Sequence, residues 1–310
     1  MSVAEISTRE AWLQARRSGL GGSDAAPAIG LSPYKTPHDL WLEKLGRTED
    51  TEQTERQRMG TRLEDVIADE YMERTGKTLH RVNRILRHPE HSWMIANIDR
   101  RIVGEKAGFE AKSVDKDAAR SDEWGAPGTD EVPTYYLLQA AHYLAVTSYE
   151  RFDLAALVGG NTLNIYVIRR DEELISTLIE MESKFWKHVV SETEPPVVST
   201  EEAKRRWPQS VASKIVATPE IVEHCARLRT LKADLKRIEE EIEKADTPIR
   251  GFMGENDTLM HGDDVLATWK TSKPSTRFDA KRFAAENPDL CAPYQASFTT
   301  RRFLLKGEAS

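Results

Sequence analysis

Two acids and a lysine, split across a turn, constrain this chain more than any other stretch. Asn97-Ile98-Asp99-Arg100-Arg101 is followed, after Gly104-Glu105-Lys106-Ala107-Gly108, by Phe109-Glu110-Ala111-Lys112-Ser113. The residues around Ile98 to Val103 favour a short strand, the glycine-bounded segment supplies turn residues, and Phe109 resumes an extended run. The two-residue period of a strand puts Glu110 and Lys112 on one face. If the segments pair as a hairpin, Asp99 comes within reach of that face. Two hard carboxylate oxygens beside an ammonium suit Mg²⁺ or Mn²⁺ and place a cation next to any bound water. In a chain that is 31% charged, the same residues also suit a solvated hairpin with a Glu/Lys pair on its outer face. The spacing alone leaves both readings open.

Composition narrows the field. The 310 residues can bury a full core, as one large domain or one domain with an appendage. No apolar run approaches the ~20 residues that span a bilayer. Met1-Ser2-Val3-Ala4-Glu5-Ile6 lacks the basic and apolar regions of a signal peptide, so a cytoplasmic location is expected. Cys225 and Cys291 stand far apart, which argues against a disulfide framework, a cysteine zinc site or a four-cysteine cluster. With a formal charge of −7, binding to nucleic acid would need a local basic surface.

Periodicity predicts helices over residues 8–17, 25–29, 38–45, 57–75, 133–146 and 172–192. Ser23 or Asp24 is expected to cap the second of these, and Pro27 to lie in its first turn. Strands are expected over residues 79–86, 94–103 and 109–114. Two more, over 151–158 and 162–168, are joined by the turn Gly159-Gly160-Asn161. Pro195-Pro196 ends this part, and the domains are expected to be residues 1–200 and 210–310. In the second, residues 219–245 carry Ile221, Cys225, Leu228, Leu231, Leu235, Ile238 and Ile242 as an amphipathic stripe with coiled-coil character. Beyond it come an expected strand at 265–270 and a basic segment with Lys270, Lys273, Arg277, Lys281, Arg282, Arg301, Arg302 and Lys306.

Several ordered motifs share one frame. They are Trp12-Leu13-Gln14-Ala15-Arg16, Gly21-Gly22-Ser23-Asp24-Ala25-Ala26, Leu31-Ser32-Pro33-Tyr34-Lys35-Thr36, Gly60-Thr61-Arg62-Leu63-Glu64, Asp99, Glu110-Ala111-Lys112 and Gln139-Ala140-Ala141-His142-Tyr143. On these the chain resembles the YqaJ-type viral recombinase family, relatives of phage lambda exonuclease within the PD-(D/E)xK nuclease superfamily. The resemblance implies an α/β (α+β) restriction-endonuclease-like core, a central mixed sheet flanked by helices, with a helical C-terminal extension. It implies a Mg²⁺-dependent (or Mn²⁺-dependent) deoxyribonuclease with one or two ions per site. Metal ligands would be Asp99, Glu110, the carbonyl of Ala111 and, directly or through water, Glu64. Lys112 would orient or help deprotonate the attacking water.

Gln139 and Tyr143, one helical turn apart, project from one face. The family's QxxxY helix lies against the active-site strands, although Tyr143 also suits a core position and Gln139 a strand edge. Glu64 is likewise compatible with an exposed helix acid. Arg16 and Ser23 match positions that bind the 5′-terminal phosphate in lambda exonuclease-like enzymes, with Arg17 a competitor for Arg16 and an ordinary N-cap the other role for Ser23. The resemblance further implies 5′→3′ digestion of double-stranded DNA ends, a single-strand annealing protein as partner, and a homo-oligomer, a trimer in several relatives. Rival expectations are an endonuclease on the same core, or a non-catalytic DNA-end-binding or assembly module. Retention of Asp99, Glu110 and Lys112 together argues against the last.

Overall fold

The computed structural model describes residues 14, 16–48, 54–294 and 296–306, and divides into two compact units, Met1–Ala203 and Lys204–Ser310. The helix expected over residues 8–17 falls largely outside the described residues, as does Trp12. In the first unit the helices are α1 (Gly22–Ala28), α2 (Pro37–Lys44), α3 (Glu55–Thr75), α4 (Thr134–Thr147) and α5 (Glu172–Val190). The strands are β1 (Leu79–Arg81), β2 (Leu86–Arg87), β3 (Ile95–Ala96), β4 (Arg100–Ile102), β5 (Ala107–Val114), β6 (Arg151–Val158) and β7 (Thr162–Arg169).

A five-stranded sheet runs in the order β1-β4-β5-β6-β7. Its pairs are antiparallel except β5 with β6, which are parallel from Ala107↔Arg151 to Val114↔Val158. A parallel pair needs a crossover, and α4 supplies it. Both faces of these central strands are covered, in alternation. Ala107, Phe109, Ala111 and Ala155 pack with Ile67, Ala68 and Tyr71 of α3. Phe152, Leu154 and Ala156 pack with Tyr143 and Leu144 of α4. Glu110 and Lys112, offset by one residue from Phe109 and Ala111, therefore face away from the α3 layer. This is the mixed sheet flanked by helices that the family resemblance implies.

The strand expected over residues 94–103 is broken. Ile95–Ala96 pairs with Leu86–Arg87 in a separate two-stranded sheet, and Arg100–Ile102 joins the main one. Between them Ile98 turns into the core, and the Asp99 side chain accepts from the amide of Ala111 at 3.1 Å. A side-chain oxygen there takes the place of a ladder carbonyl, which hydrophobic periodicity cannot register. At the β6–β7 turn, residues 159–161 separate the paired Val158 and Thr162, and Gly159 and Gly160 sit at φ 58° and 76°, left-handed values that glycine adopts without strain.

Helix α1 starts earlier than expected. Gly21 is its N-cap, with Asp24 Oδ2 accepting from the Gly21 amide at 2.9 Å, so neither Ser23 nor Asp24 occupies the cap position. Pro27 lies near its C-terminal end rather than in the first turn. A Cβ on Gly22 would sit 2.4 Å from Tyr143 Cε1 and 2.8 Å from Cζ, so α1 and α4 approach as closely as only glycine permits. Gly22→Ala is expected to cost about 1–3 kcal/mol of stability by overpacking. An unchanged urea midpoint would rule out that contact.

The second unit holds a 35-residue helix, Pro219–Met253, capped by Thr218 Oγ1, which accepts from the Ile221 amide at 3.4 Å. It runs past the expected end at Ala245 and through Pro248. Its stripe residues Ile221, Leu231, Leu235, Ile238 and Ile242 are all exposed. A hairpin of Thr258–His261 and Asp264–Thr268 follows, turning at Gly262.

Candidate active site

Glu110 is the centre of the site. It is 6% exposed, and its Oε1 accepts from Lys112 Nζ at 2.8 Å and from Gln139 Nε2 at 2.7 Å. Its Oε2 is buried and has no hydrogen-bond partner among the described residues. A buried lone oxygen of this kind is costly unless something else satisfies it. Burial, then the nearby charge of Asp99, push the Glu110 carboxyl up to about 7 despite the ammonium of Lys112.

Asp99 and Glu64 complete the acidic face. Burial raises the Asp99 carboxyl above the usual range, while Lys112 and the Ala111 amide pull the other way. Glu64, half-buried on α3, is raised by burial and then by the charge of Asp99. Lys112 shows the complement. Burial would depress its ammonium, yet Glu110 and Asp99 outweigh that and hold its pKa above the ordinary lysine value. The charge of Asp99 raises both Glu64 and Glu110, and Lys112, joined by Arg81 and Arg100 at Glu64 and Asp99, offsets burial and that charge incompletely.

A divalent cation fits such a donor set. Among the described residues, no group of three or more His, Cys, Asp or Glu is drawn together as a cation cage, so Glu64 does not close one with Asp99 and Glu110. Mg²⁺ does not need a cage. It is held through one or two carboxylates and keeps several waters. Asp99 and the unsatisfied Oε2 of Glu110 meet that requirement.

Gln139 and Tyr143 both belong to the site's scaffold. One Gln139 amide group donates to Glu110 Oε1 and, at 3.0 Å, to the Tyr143 hydroxyl, which in turn donates to the Asn97 carbonyl at 3.2 Å. This chain ties α4 to the acid on β5 and to the break before β4. Gln139 touches a candidate ligand, and Tyr143 acts through Gln139. Asp65, next to Glu64, bonds both Arg81 and Arg100, which locks α3 onto β1 and β4.

At the other cluster, Arg16 Nη2 lies 3.4 Å from Asp24 Oδ1 and 3.7 Å from Glu43 Oε1. Lys44 Nζ donates to Asp24 Oδ2 at 2.6 Å and to the Arg16 carbonyl at 2.8 Å. Burial would raise the Asp24 carboxyl, but Lys44 and Arg16 hold it down at about 2. Ser23 is exposed at the start of α1.

One pair of residues escaped the sequence reading. His142, in the QxxxY helix but without a metal-ligand spacing, is fully buried against Glu182 of α5, with Nδ1 2.8 Å from Oε1 and Nε2 2.9 Å from the Ile95 carbonyl. The signal was present: Glu182 falls on the buried stripe Ile175, Leu178, Phe185 and Val189 of α5. An acid on an apolar stripe calls for a buried partner.

Fold and site together define a PD-(D/E)xK-type core, with the acid-x-lysine strand flanked by a second acid and a QxxxY helix. A family model, the YqaJ-like viral recombinase domain, matches residues 11–150. The uncharacterized protein YqaJ of Bacillus subtilis (strain 168) is 33% identical over 308 residues, covering 96% of this chain and 94% of that protein. The chain belongs to the YqaJ-like viral recombinase family. Among solved structures, the alkaline exonuclease LHK-Exo of Laribacter hongkongensis matches 64% of this chain and 97% of its own, at 20% identity and a TM-score of 0.47. A putative exonuclease from Eubacterium rectale matches 70% of this chain and 97% of its own, at 14% identity and a TM-score of 0.45. Among the described residues, no helix is long and apolar enough to cross a membrane.

Proposed function

We propose that this protein is a divalent-metal-dependent deoxyribonuclease that resects double-stranded DNA from its ends in the cytoplasm. The observation that carries the reading is the buried, unsatisfied Oε2 of Glu110, set among Asp99, Glu64 and Lys112. A purely structural Glu/Lys pair would have no reason to bury a partnerless oxygen.

Mg²⁺ or Mn²⁺, held by Asp99, Glu110 and the Ala111 carbonyl, would make water a better nucleophile and neutralise charge at the scissile phosphate. Glu64 would reach the ion through water, or help to hold a second one. Gln139 fixes Glu110 through Oε1 and leaves Oε2 free to ligate. Lys112, whose ammonium donates to Glu110 Oε1 beside this donor set, would orient the attacking water or help deprotonate it, and would offset charge on the phosphate oxygens.

Direction comes from Arg16 and Ser23. In this reading they receive the 5′-phosphate, so the enzyme works 5′→3′ and leaves 3′ single-stranded tails for a single-strand annealing protein. Assembly as a homo-oligomer, a trimer by family resemblance, belongs to the same proposal. The test is digestion of a linear duplex labelled at either end, with 5′-phosphate or 5′-hydroxyl termini, in Mg²⁺ and in chelator. Loss of the 5′ label first, faster from phosphorylated ends and only with metal, is expected. Cleavage indifferent to ends would make it an endonuclease, and no cleavage in any metal would leave a DNA-end-binding module.

A further inference from the structure

A row of aromatic rings leads from Lys112 to the surface and has no part in the chemistry above. Lys112 Nζ lies 5.1 Å from the centre of the Tyr136 ring. Tyr136 meets Tyr135 at 4.2 Å between centroids, and Tyr135 meets Tyr34 edge-on at 5.5 Å and 81°. Tyr135 and Tyr136 are half-buried, whereas Tyr34 is 78% exposed. Behind Tyr136 stands Trp124, at 5.8 Å.

The turn that carries Tyr34 is pinned by local hydrogen bonds. Ser32 Oγ accepts from the amides of Tyr34 and Lys35 at 3.2 and 3.3 Å. Two residues on, Thr36 and Asp39 cap α2 reciprocally. Its chain neighbour Lys35 pairs with Glu43, the acid that also meets Arg16. Tyr34 is thus the chain neighbour of a lysine that shares Glu43 with Arg16, and it connects through two tyrosines to the Lys112 ammonium. An aromatic face this exposed contributes nothing to the core, and its backing by further rings keeps it in place.

We propose that Tyr34, backed by Tyr135 and Tyr136, is a stacking platform for the unpaired terminal base of the strand being processed. The inference rests on the nuclease reading and adds a contact to the base, where the other groups contact phosphate. Stacking suits an enzyme that must advance through any sequence, because every base presents a π-face. With its phosphate toward Arg16 and the scissile linkage at Lys112, the first nucleotide would carry its base over Tyr34.

The test uses the full-length protein and a 5′-phosphorylated duplex whose 5′-terminal base is 5-iodouracil, irradiated in chelator so that the DNA stays whole. The cross-link is expected to map to Tyr34, to fall at least about tenfold in Tyr34→Leu and to persist in Tyr34→Trp. Tyr34 is exposed, so these variants fold. A cross-link that maps elsewhere, or is equally strong in Tyr34→Leu, overturns the platform. Where the wild type still digests the same duplex in Mg²⁺, that outcome leaves the nuclease reading standing. A wild type that neither binds nor digests the duplex overturns both.

Discussion

Asp99→Asn and Lys112→Ala are each expected to lower DNA hydrolysis in Mg²⁺ by about a thousandfold or more, with duplex binding changed by less than about tenfold. Asn at position 99 can still accept from the Ala111 amide, so it keeps the junction before β4 and removes only the charge. Lys112→Ala removes the ammonium that sits on Glu110 Oε1, while Gln139 continues to hold that oxygen. Both variants are therefore expected to melt within a few degrees of the wild type. The measurement is initial rate on an end-labelled duplex, beside a gel-shift affinity in chelator. Digestion at wild-type rate by either variant would remove the site from the mechanism.

Glu182→Ala is expected to be the most destabilising single change away from the acids, at about 3–5 kcal/mol. Both ring nitrogens of His142 face acceptors, Glu182 on one side and the Ile95 carbonyl on the other, so the pair is built for an imidazolium. Burial by itself would depress the imidazole, but the charge and hydrogen bond of Glu182, with the Ile95 carbonyl, raise its pKa above 6.5. A raised histidine pKa means that the folded state holds the proton more tightly than the unfolded chain does. That contribution is present in full below about pH 6.5 and is lost as pH rises through the folded value above it. Wild-type unfolding free energy is expected to fall over that alkaline window, and the Glu182→Ala difference to shrink with it. A Glu182→Ala penalty that stays constant from pH 6 to pH 10 would show that His142 is neutral.

Much of the candidate site is legible in the amino-acid sequence. Glu110 and Lys112 share a face because a strand repeats every two residues, and Gln139 and Tyr143 share one because a helix nearly repeats every four. Gly159-Gly160 announced its hairpin for the same local reason. Residues 94–103 were less transparent. Their apolar pattern reads as one strand, and the break at Asn97–Asp99 exists because Ile98 has a core to fill and Asp99 has the Ala111 amide to meet. The cap of α1 was misplaced because Asp24 is drawn inward by Lys44, a residue from the next helix. His142 looked idle because its partner lies on another helix.

The chain by itself determined which residue types stand on which faces: the D…E-x-K strands, the QxxxY helix, the stripes of α3 and α5. Those follow from periods of the backbone that act over a few residues. Only the tertiary structure decided which faces meet, and hence that Glu110 keeps one oxygen satisfied by Lys112 and Gln139 and one buried with no partner among the described residues. Charge and burial depend on neighbours that the sequence holds far apart. A carboxyl raised to about 7 is a property of that meeting, not of any residue in it.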